Sequence, residues 1–271
     1  GGDAYPEYAM RDIEGNLLDD RYKRWGIGLC PSNRMINEWT RDCLIDVIGR
    51  YDIDGFDVDH ARFPAPANVS SLFACGCENC EEEAGRLGFD FQQMKNGLLK
   101  LKGSLSRLKK EDVTRASKAN LGLWDFLSLL ADDYQVSEWL NFRAVLLAER
   151  MKEFRDAVRK ASGPNKVFGS DVWPPSIAFL GGHIYSEWEK GSDYLTGGSS
   201  AGGVVGWATT VTNLAAEWAT FLCETVDGLD EKDALRLIFC MFGFEDLELP
   251  DSVEGIRGGQ LPLVETYERE V

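Results

Sequence analysis

The sequence predicts an α/β protein: a (β/α)8 TIM-type barrel, incomplete at its amino-terminal end and carrying a helical insertion. Two observations predict it. Short apolar segments alternate with stretches of helical periodicity, which is the pattern of βα units around a parallel sheet. One of those segments, Asp54-Gly55-Phe56-Asp57-Val58-Asp59-His60-Ala61-Arg62-Phe63-Pro64, ends in carboxylates, where barrels of this kind place their chemistry. Roughly five or six strands can be counted by periodicity, whereas a closed barrel needs eight. The shortfall is assigned to a missing amino-terminal piece, because the first readable strand already behaves as an interior one. A doubly wound open sheet is the alternative, although no Gly-x-Gly-x-x-Gly turn supports a dinucleotide version of it. The whole span 1–271 is read as one barrel domain, with 91–134 inserted in it.

The elements follow in order. A strand at Tyr8-Ala9-Met10 runs into a turn through Arg11 to Asn16. Trp25 to Cys30 is a second apolar stretch, and Ser32 or Asn33 then caps a helix. Ile36, Trp39, Cys43 and Val47 fall at spacings of three and four on that helix and predict one buried face. Ile53 to Asp59 reads as a strand, stopped by Pro64 and Pro66. A cysteine-rich loop leads into a helix from Glu81 to Leu87.

The segment from 91 to 120 holds eight Lys or Arg against two acids in an otherwise acidic chain. It reads as a solvated helical excursion or as a lid. A long helix follows, with Val136, Leu140, Ala144, Leu147, Met151, Phe154 and Val158 on one stripe. Lys166 to Trp173 reads as a buried strand, Asp193 to Thr196 as another, and 197–203 as a flexible Gly-rich loop. Two helices end the readable part. One carries Trp207, Val211, Leu214, Trp218 and Leu222, and the other is capped by Asp230.

Composition narrows the class. Aromatic residues make up 11% of the chain, which argues against disorder. A net charge of −16 repels nucleic acid and anionic lipid, so neither is an expected partner. No apolar run approaches the roughly 20 residues that span a bilayer. The start lacks the basic region and apolar core of a signal peptide, so localisation stays open with the cytoplasm as the default. Nothing in the sequence speaks to oligomeric state.

Four acids between Asp52 and Asp59 are an unusual load for a strand. Alternation puts Asp57 and Asp59 on one face and Phe56 and Val58 on the other. If the apolar pair packs under helices, the two carboxylates point into the barrel, where they are costly unless paired or reactive. An EF-hand reading fails, because Arg50 and Ala61 would occupy the first and twelfth loop positions. A structural alternative has Asp57 and Asp59 paired with Arg62.

The pattern Asp54-Gly55-x-x-x-Asp59-x-x-Arg62-Phe63-Pro64 resembles the strand-four signature of glycoside hydrolases built on a TIM barrel. Cys30-Pro31-Ser32-Asn33 is similar to their Cys-Pro-Asn-Asn turn. The stretch from Gly169 to Ser176, followed by Gly181-Gly182-His183-x-Tyr185, is similar to their fifth strand and its turn. The likeness runs over roughly 8 to 200 without the insertion, and Thr196-Gly197-Gly198-Ser199-Ser200 departs from it.

The resemblance implies a glycosidase acting on an oligo- or polysaccharide, with no cofactor for the chemistry. Such hydrolysis needs two carboxyl groups about the scissile bond. Asp59 is the candidate nucleophile or base, by position and by resemblance. Asp171, ending the next strand, is the candidate acid, or else a group that orients Arg62 or a sugar hydroxyl. Glu187 is a further candidate. Asp57, His60 and Arg62 are expected to contact substrate, and Trp173 to stack on a sugar ring. Trp39, Trp139 and Trp218 lie on helical stripes and are expected in the core. A barrel that binds carbohydrate without cleaving it is the alternative, and a hydrolase of another substrate class on the same fold is a third.

Seven cysteines, three of them within Cys75-Gly76-Cys77-Glu78-Asn79-Cys80, make a poor disulfide framework. Zinc takes four ligands, commonly closely spaced thiolates. Cys30, at the end of the preceding strand, can complete a set with Cys75, Cys77 and Cys80. Certain β-galactosidase barrels carry a similar loop, and that resemblance likewise implies a structural zinc. A metal-free thiol loop is the alternative. Cys43, Cys223 and Cys240 fall in helical patterns and are expected to be buried.

Overall fold

A computed structural model describes residues 5–18, 28–64, 66–131, 134–197 and 204–270. The expected Trp25–Ile27 part of the second strand and the 198–203 part of the Gly-rich loop lie outside these. The chain divides into two compact units. The first comprises Gly1–Ala65, Ser70–Phe91 and Ser137–Ser200; the second comprises Pro66–Val69, Gln92–Val136 and Ala201–Val271.

The first unit opens with a helical turn, α1 (Tyr5–Tyr8), and continues with α2 (Arg34–Arg50), β1 (Gly55–Val58) and α3 (Glu78–Leu87). Most of α7 (Gln135–Ser162) follows, then β2 (Val167–Val172), the short α8 (Tyr185–Trp188) and β3 (Tyr194–Gly197). The strands form one parallel sheet in the order β1-β2-β3. Asn33 caps α2, its side chain accepting from the Ile36 amide. The apolar stripe of α7 is buried from Val136 to Val158, as its spacing requires. Asp193 fastens the end of α7 to the sheet. It receives Arg159 Nη2 at 2.6 Å and also accepts the Phe168 amide at 2.8 Å.

The second unit is helical among its described residues. It holds most of α4 (Phe91–Leu105), then α5 (Lys110–Lys118), α6 (Leu123–Leu130), α9 (Val204–Thr225), α10 (Glu231–Met241), α11 (Val253–Arg257) and α12 (Leu263–Glu268). α10 packs on α9, α5 and α6. Asp230 caps α10 by accepting the Asp233 amide at 2.9 Å. The expected stripe of α9, Trp207 to Leu222, is buried throughout. Its indoles find acceptors, Trp207 on Thr266 Oγ1 and Trp218 on the Pro66 carbonyl.

The closed (β/α)8 barrel is therefore corrected. Three strands stand among the described residues where eight are required. The segment read as a first strand is partly taken up in α1, and Ala9 and Leu29 meet only in an isolated antiparallel bridge. Alternation of βα units held for the middle of the chain, whereas the remaining apolar periodicity resolved into helices packed on helices.

The expected buried face of α2 is also corrected. Trp39 is 66% exposed, and Cys43 and Val47 are exposed with it, while Ile48 is the buried residue. Periodicity shows which residues share a face, and not whether anything covers that face.

Candidate functional site

Two constellations in the first unit carry chemistry-bearing side chains. The first lies at the carboxyl ends of the three strands. β1 and β2 approach so closely that a Cβ on Gly55 would fall 1.9 Å from the Val167 carbonyl oxygen. Glycine at this position, within the Asp54-Gly55 pair, is therefore a packing requirement.

The register sets Phe56 against Phe168 and Asp57 against Gly169, and Gly169 in turn against Tyr194. Alternation then puts Phe56, Val58, Phe168 and Leu195 on one face. Phe56 and Phe168 meet edge to face, with ring centroids 6.4 Å apart. Asp57, Asp171, Tyr194 and Thr196 share the other face, and Asp59 follows in the same phase just past the strand.

The Tyr194 ring lies across Gly169, where a Cβ would come within 2.1 Å of its Cζ. That ring sits toward Asp57. Burial, and then the charges of Asp57, Asp171 and Asp193, push the Tyr194 hydroxyl above its ordinary pKa. Burial also raises the Asp57 carboxyl, with the Asp59 charge adding to it. Asp171 is buried, whereas Asp57 and Asp59 are exposed. Both exposed carboxylates stand at an open sheet, and not inside a barrel.

Asp59 pairs with His60, Oδ2 to Nδ1, at 2.5 Å. His60 holds a left-handed backbone, φ 62°, a conformation that costs an L-residue about 1 kcal/mol. Such outliers cluster at functional sites, because surrounding structure must enforce them. Arg62 places its guanidinium 5.2 Å from the Trp173 ring centroid and donates to the Phe63 carbonyl. Trp173 is half-buried and packs on Gly181, and its indole N–H has no hydrogen-bond partner among the described residues. The Glu187 carboxylate receives Lys190 at 2.7 Å.

His183 holds the loops behind this rim. Its Nδ1 accepts the Trp173 amide at 2.9 Å and its Nε2 faces the Ala61 carbonyl at 3.0 Å. The acceptor role of Nδ1 assigns the proton to Nε2. Burial pushes this imidazole down to about 3, so the ring is neutral.

The second constellation is the cysteine set. The thiol sulfurs of Cys30, Cys75, Cys77 and Cys80 all lie within 4.8 Å of one another, so they could hold a metal ion. Cys30 Sγ is 3.4 Å from that of Cys77 and 3.6 Å from that of Cys80.

Local structure makes this cage. The segment from Tyr8 to Asp12 bonds both contributors. Tyr8 accepts the Cys30 amide at 2.8 Å, and Arg11 accepts the Gly76 amide at 2.8 Å. Asp12 forms a bridge with Ala74. Cys77 is the N-cap of α3, and Cys80 lies in its first turn, its amide bonded to the Cys77 carbonyl at 3.0 Å. Arg11 N–H donates to Cys75 Sγ at 3.4 Å, and Ser32 Oγ is 3.2 Å from Cys80 Sγ. Hydrogen bonds from Cys30, Cys75 and Cys80 lower the Cys77 thiol far below its ordinary value. Bonds to Cys75 and Cys77 raise the Cys30 thiol, and bonds to Cys30, Cys75 and Cys77 raise that of Cys80.

No family model matches this chain, and no curated protein matches it either.

Beyond the expected residues, the structure adds Tyr194, His183 and Arg143. Arg143 is fully buried on α7, its guanidinium carbon 4.4 Å from the Phe63 ring centroid. A lone arginine in the run Phe142-Arg143-Ala144-Val145-Leu146-Leu147-Ala148 is the sequence signal for it. Trp139 is buried in the core of the first unit with its indole on the Leu72 carbonyl, as is Trp218 in the second, unlike Trp39. Among the other thiols, Cys240 is buried, Cys223 half-buried and Cys43 exposed, so the expectation for Cys43 is corrected.

Proposed function

We propose that the carboxylate rim is a glycoside-hydrolysing site, and that zinc held by the four thiols fixes the loop following β1. The observation that carries the first part is the shared face of Asp57 and Asp171, with Asp59 in phase beyond the strand. Hydrolysis of a glycosidic bond needs one carboxyl to protonate the leaving oxygen and a second to attack or to activate water. Asp59 is the nucleophile or base, and its contact with His60 fixes the carboxylate at the rim. Asp171 is the acid. Asp57, its carboxyl raised by burial and by the charge of Asp59, contacts a sugar hydroxyl. Arg62, His60 and Trp173 complete the contacts to a neutral carbohydrate, and the net charge of −16 suits such a ligand better than an anionic one.

The zinc reading rests on donor type and size. Four thiolates at about 2.3 Å from zinc make a tetrahedron with edges of about 3.8 Å. The spread of sulfur separations, 4.8 Å at most, brackets one ion and is tight for a polynuclear cluster.

A second reading has one observation in its favour. The Asp59 side chain is 51% exposed, which suits a hydroxyl-binding group better than a reacting one. The two readings separate on a panel of aryl glycosides and oligosaccharides. Hydrolysis by the wild type, reduced about 10²–10⁴-fold in Asp59→Asn and Asp171→Asn, is expected of the catalytic pair. Full turnover in Asp59→Asn removes Asp59 from the chemistry. Binding without any turnover by the wild type establishes a carbohydrate-binding protein instead.

A further inference from the structure

The register puts Asp57, Gly169 and Tyr194 side by side on β1, β2 and β3. Paired residues of neighbouring strands project to one side of the sheet, so Tyr194 and the Asp57 carboxylate share a face. Gly169 stands between them with no side chain, and the Tyr194 ring takes that space. A Cβ at Gly169 would lie 2.1 Å from Cζ and 2.4 Å from both Cε1 and Cε2. So even an approach to the three atoms means that the ring turns its face to the glycine, and not its edge. The ring therefore lies along the sheet, with its hydroxyl end directed from β3 across β2 toward Asp57.

The other face of the ring looks away from the sheet, and Tyr194 is 41% exposed. Asp171 follows Gly169 by two residues on the same face of β2, and Asp59 follows Asp57 in phase past the end of β1. A flat aromatic surface thus stands beside the carboxylates. Trp173 is less free to stack, because the Arg62 guanidinium stands over its ring, 5.2 Å from the centroid.

This surface defines a ligand. An exposed ring face suits the C–H face of a pyranose. Burial and the charges of Asp57, Asp171 and Asp193 hold the proton on the Tyr194 hydroxyl, which leaves it a donor. The carboxylates nearby accept sugar hydroxyls and repel an anionic sugar.

We propose that the outward face of Tyr194 is the platform on which a neutral pyranose unit lies beside Asp57 and Asp171, and that this site excludes uronic acids. The assignment rests on the carbohydrate reading of the rim. Tyr194 is a binding residue there and takes no part in proton transfer.

The probes are cellotetraose, mannotetraose, xylotetraose, maltotetraose and the anionic tetragalacturonate. Dissociation constants are read by titration calorimetry, or KM and kcat where a sugar is turned over, for the wild type, Tyr194→Leu, Tyr194→Phe and Gly169→Ala. At least one neutral probe is expected to bind the wild type, with tetragalacturonate bound far more weakly. Tyr194→Leu is expected to weaken that binding about tenfold, and in turnover to raise KM while kcat is kept. Tyr194→Phe, which keeps the ring, is expected to retain most of the affinity. Gly169→Ala, whose methyl occupies the seat of the ring, is expected to behave as Tyr194→Leu does. It carries the test if Tyr194→Leu does not fold.

Neutral-sugar binding unchanged in both Tyr194→Leu and Gly169→Ala overturns the platform and leaves the carboxylate reading standing. An equal loss in Tyr194→Leu and Tyr194→Phe overturns it too, because the hydroxyl alone then matters. A fall in kcat at constant KM in Tyr194→Leu does the same, because the ring then acts on the reacting atoms. Tetragalacturonate bound as tightly as the neutral sugars overturns the ligand class. A wild type that neither binds nor cleaves any of these saccharides overturns the platform together with the carbohydrate reading on which it rests.

Discussion

His183 Nδ1 accepts the Trp173 backbone N–H at 2.9 Å, so the imidazole must be neutral on that side for the loop after β2 to hold. The same ring reaches Ala61 in the loop after β1. One side chain thus joins the two loops that carry Arg62 and Trp173.

This arrangement predicts a pH effect. The folded-state pKa of His183, about 3, lies below the usual value near 6.5 because the ring is buried. Below that usual value the unfolded chain binds a proton that the folded chain refuses. The contribution is therefore complete above about pH 6.5 and is lost as pH falls toward 3. Between pH 6.5 and 4.5 the loss is about 2–3 kcal/mol. Urea unfolding at these two values should show it in the wild type, and His183→Gln should lack that part of the slope. Equal slopes in the two proteins would show that His183 is already protonated or solvated in the native state.

Two glycines predict opposite outcomes. A methyl at Gly55 meets the backbone carbonyl of Val167, which cannot yield without parting β1 from β2. Gly55→Ala should cost about 3 kcal/mol or more in denaturant unfolding. A methyl at Gly169 meets only the far end of Tyr194, which is 41% exposed and can swing away. Gly169→Ala should cost about 1 kcal/mol, keep the fold, and free the Tyr194 ring from its place across the sheet. Equal losses in the two variants would mean that the strand spacing is not what selects glycine at 55.

The parts of this structure that were legible in the sequence are those in which a local pattern and a local cause coincide. The α7 stripe, the Asp230 cap and the three parallel strands were each signalled by spacing or by a capping side chain. The gathering of the four cysteines was legible as well, because three thiols in one loop call for a fourth from elsewhere, and Cys30 lies beside them. Closure of the sheet was not legible. Periodicity cannot tell a strand from one turn of helix at Tyr5–Tyr8, nor tell a covered α2 face from the open one that carries Trp39. Tyr194 was missed because its importance comes from Gly169 on the neighbouring strand, a relation that only register reveals. Arg143 had a visible signal, a charge in an unbroken apolar run, but its meaning depends on what α7 packs against.

The four-thiol site is tested most directly by zinc K-edge X-ray absorption on protein purified without chelator. One zinc per chain, with four sulfur scatterers at about 2.3 Å, is the expected result. A spectrum dominated by oxygen or nitrogen neighbours would contradict the site, as would protein with no zinc edge and all seven cysteines titrating as free thiols.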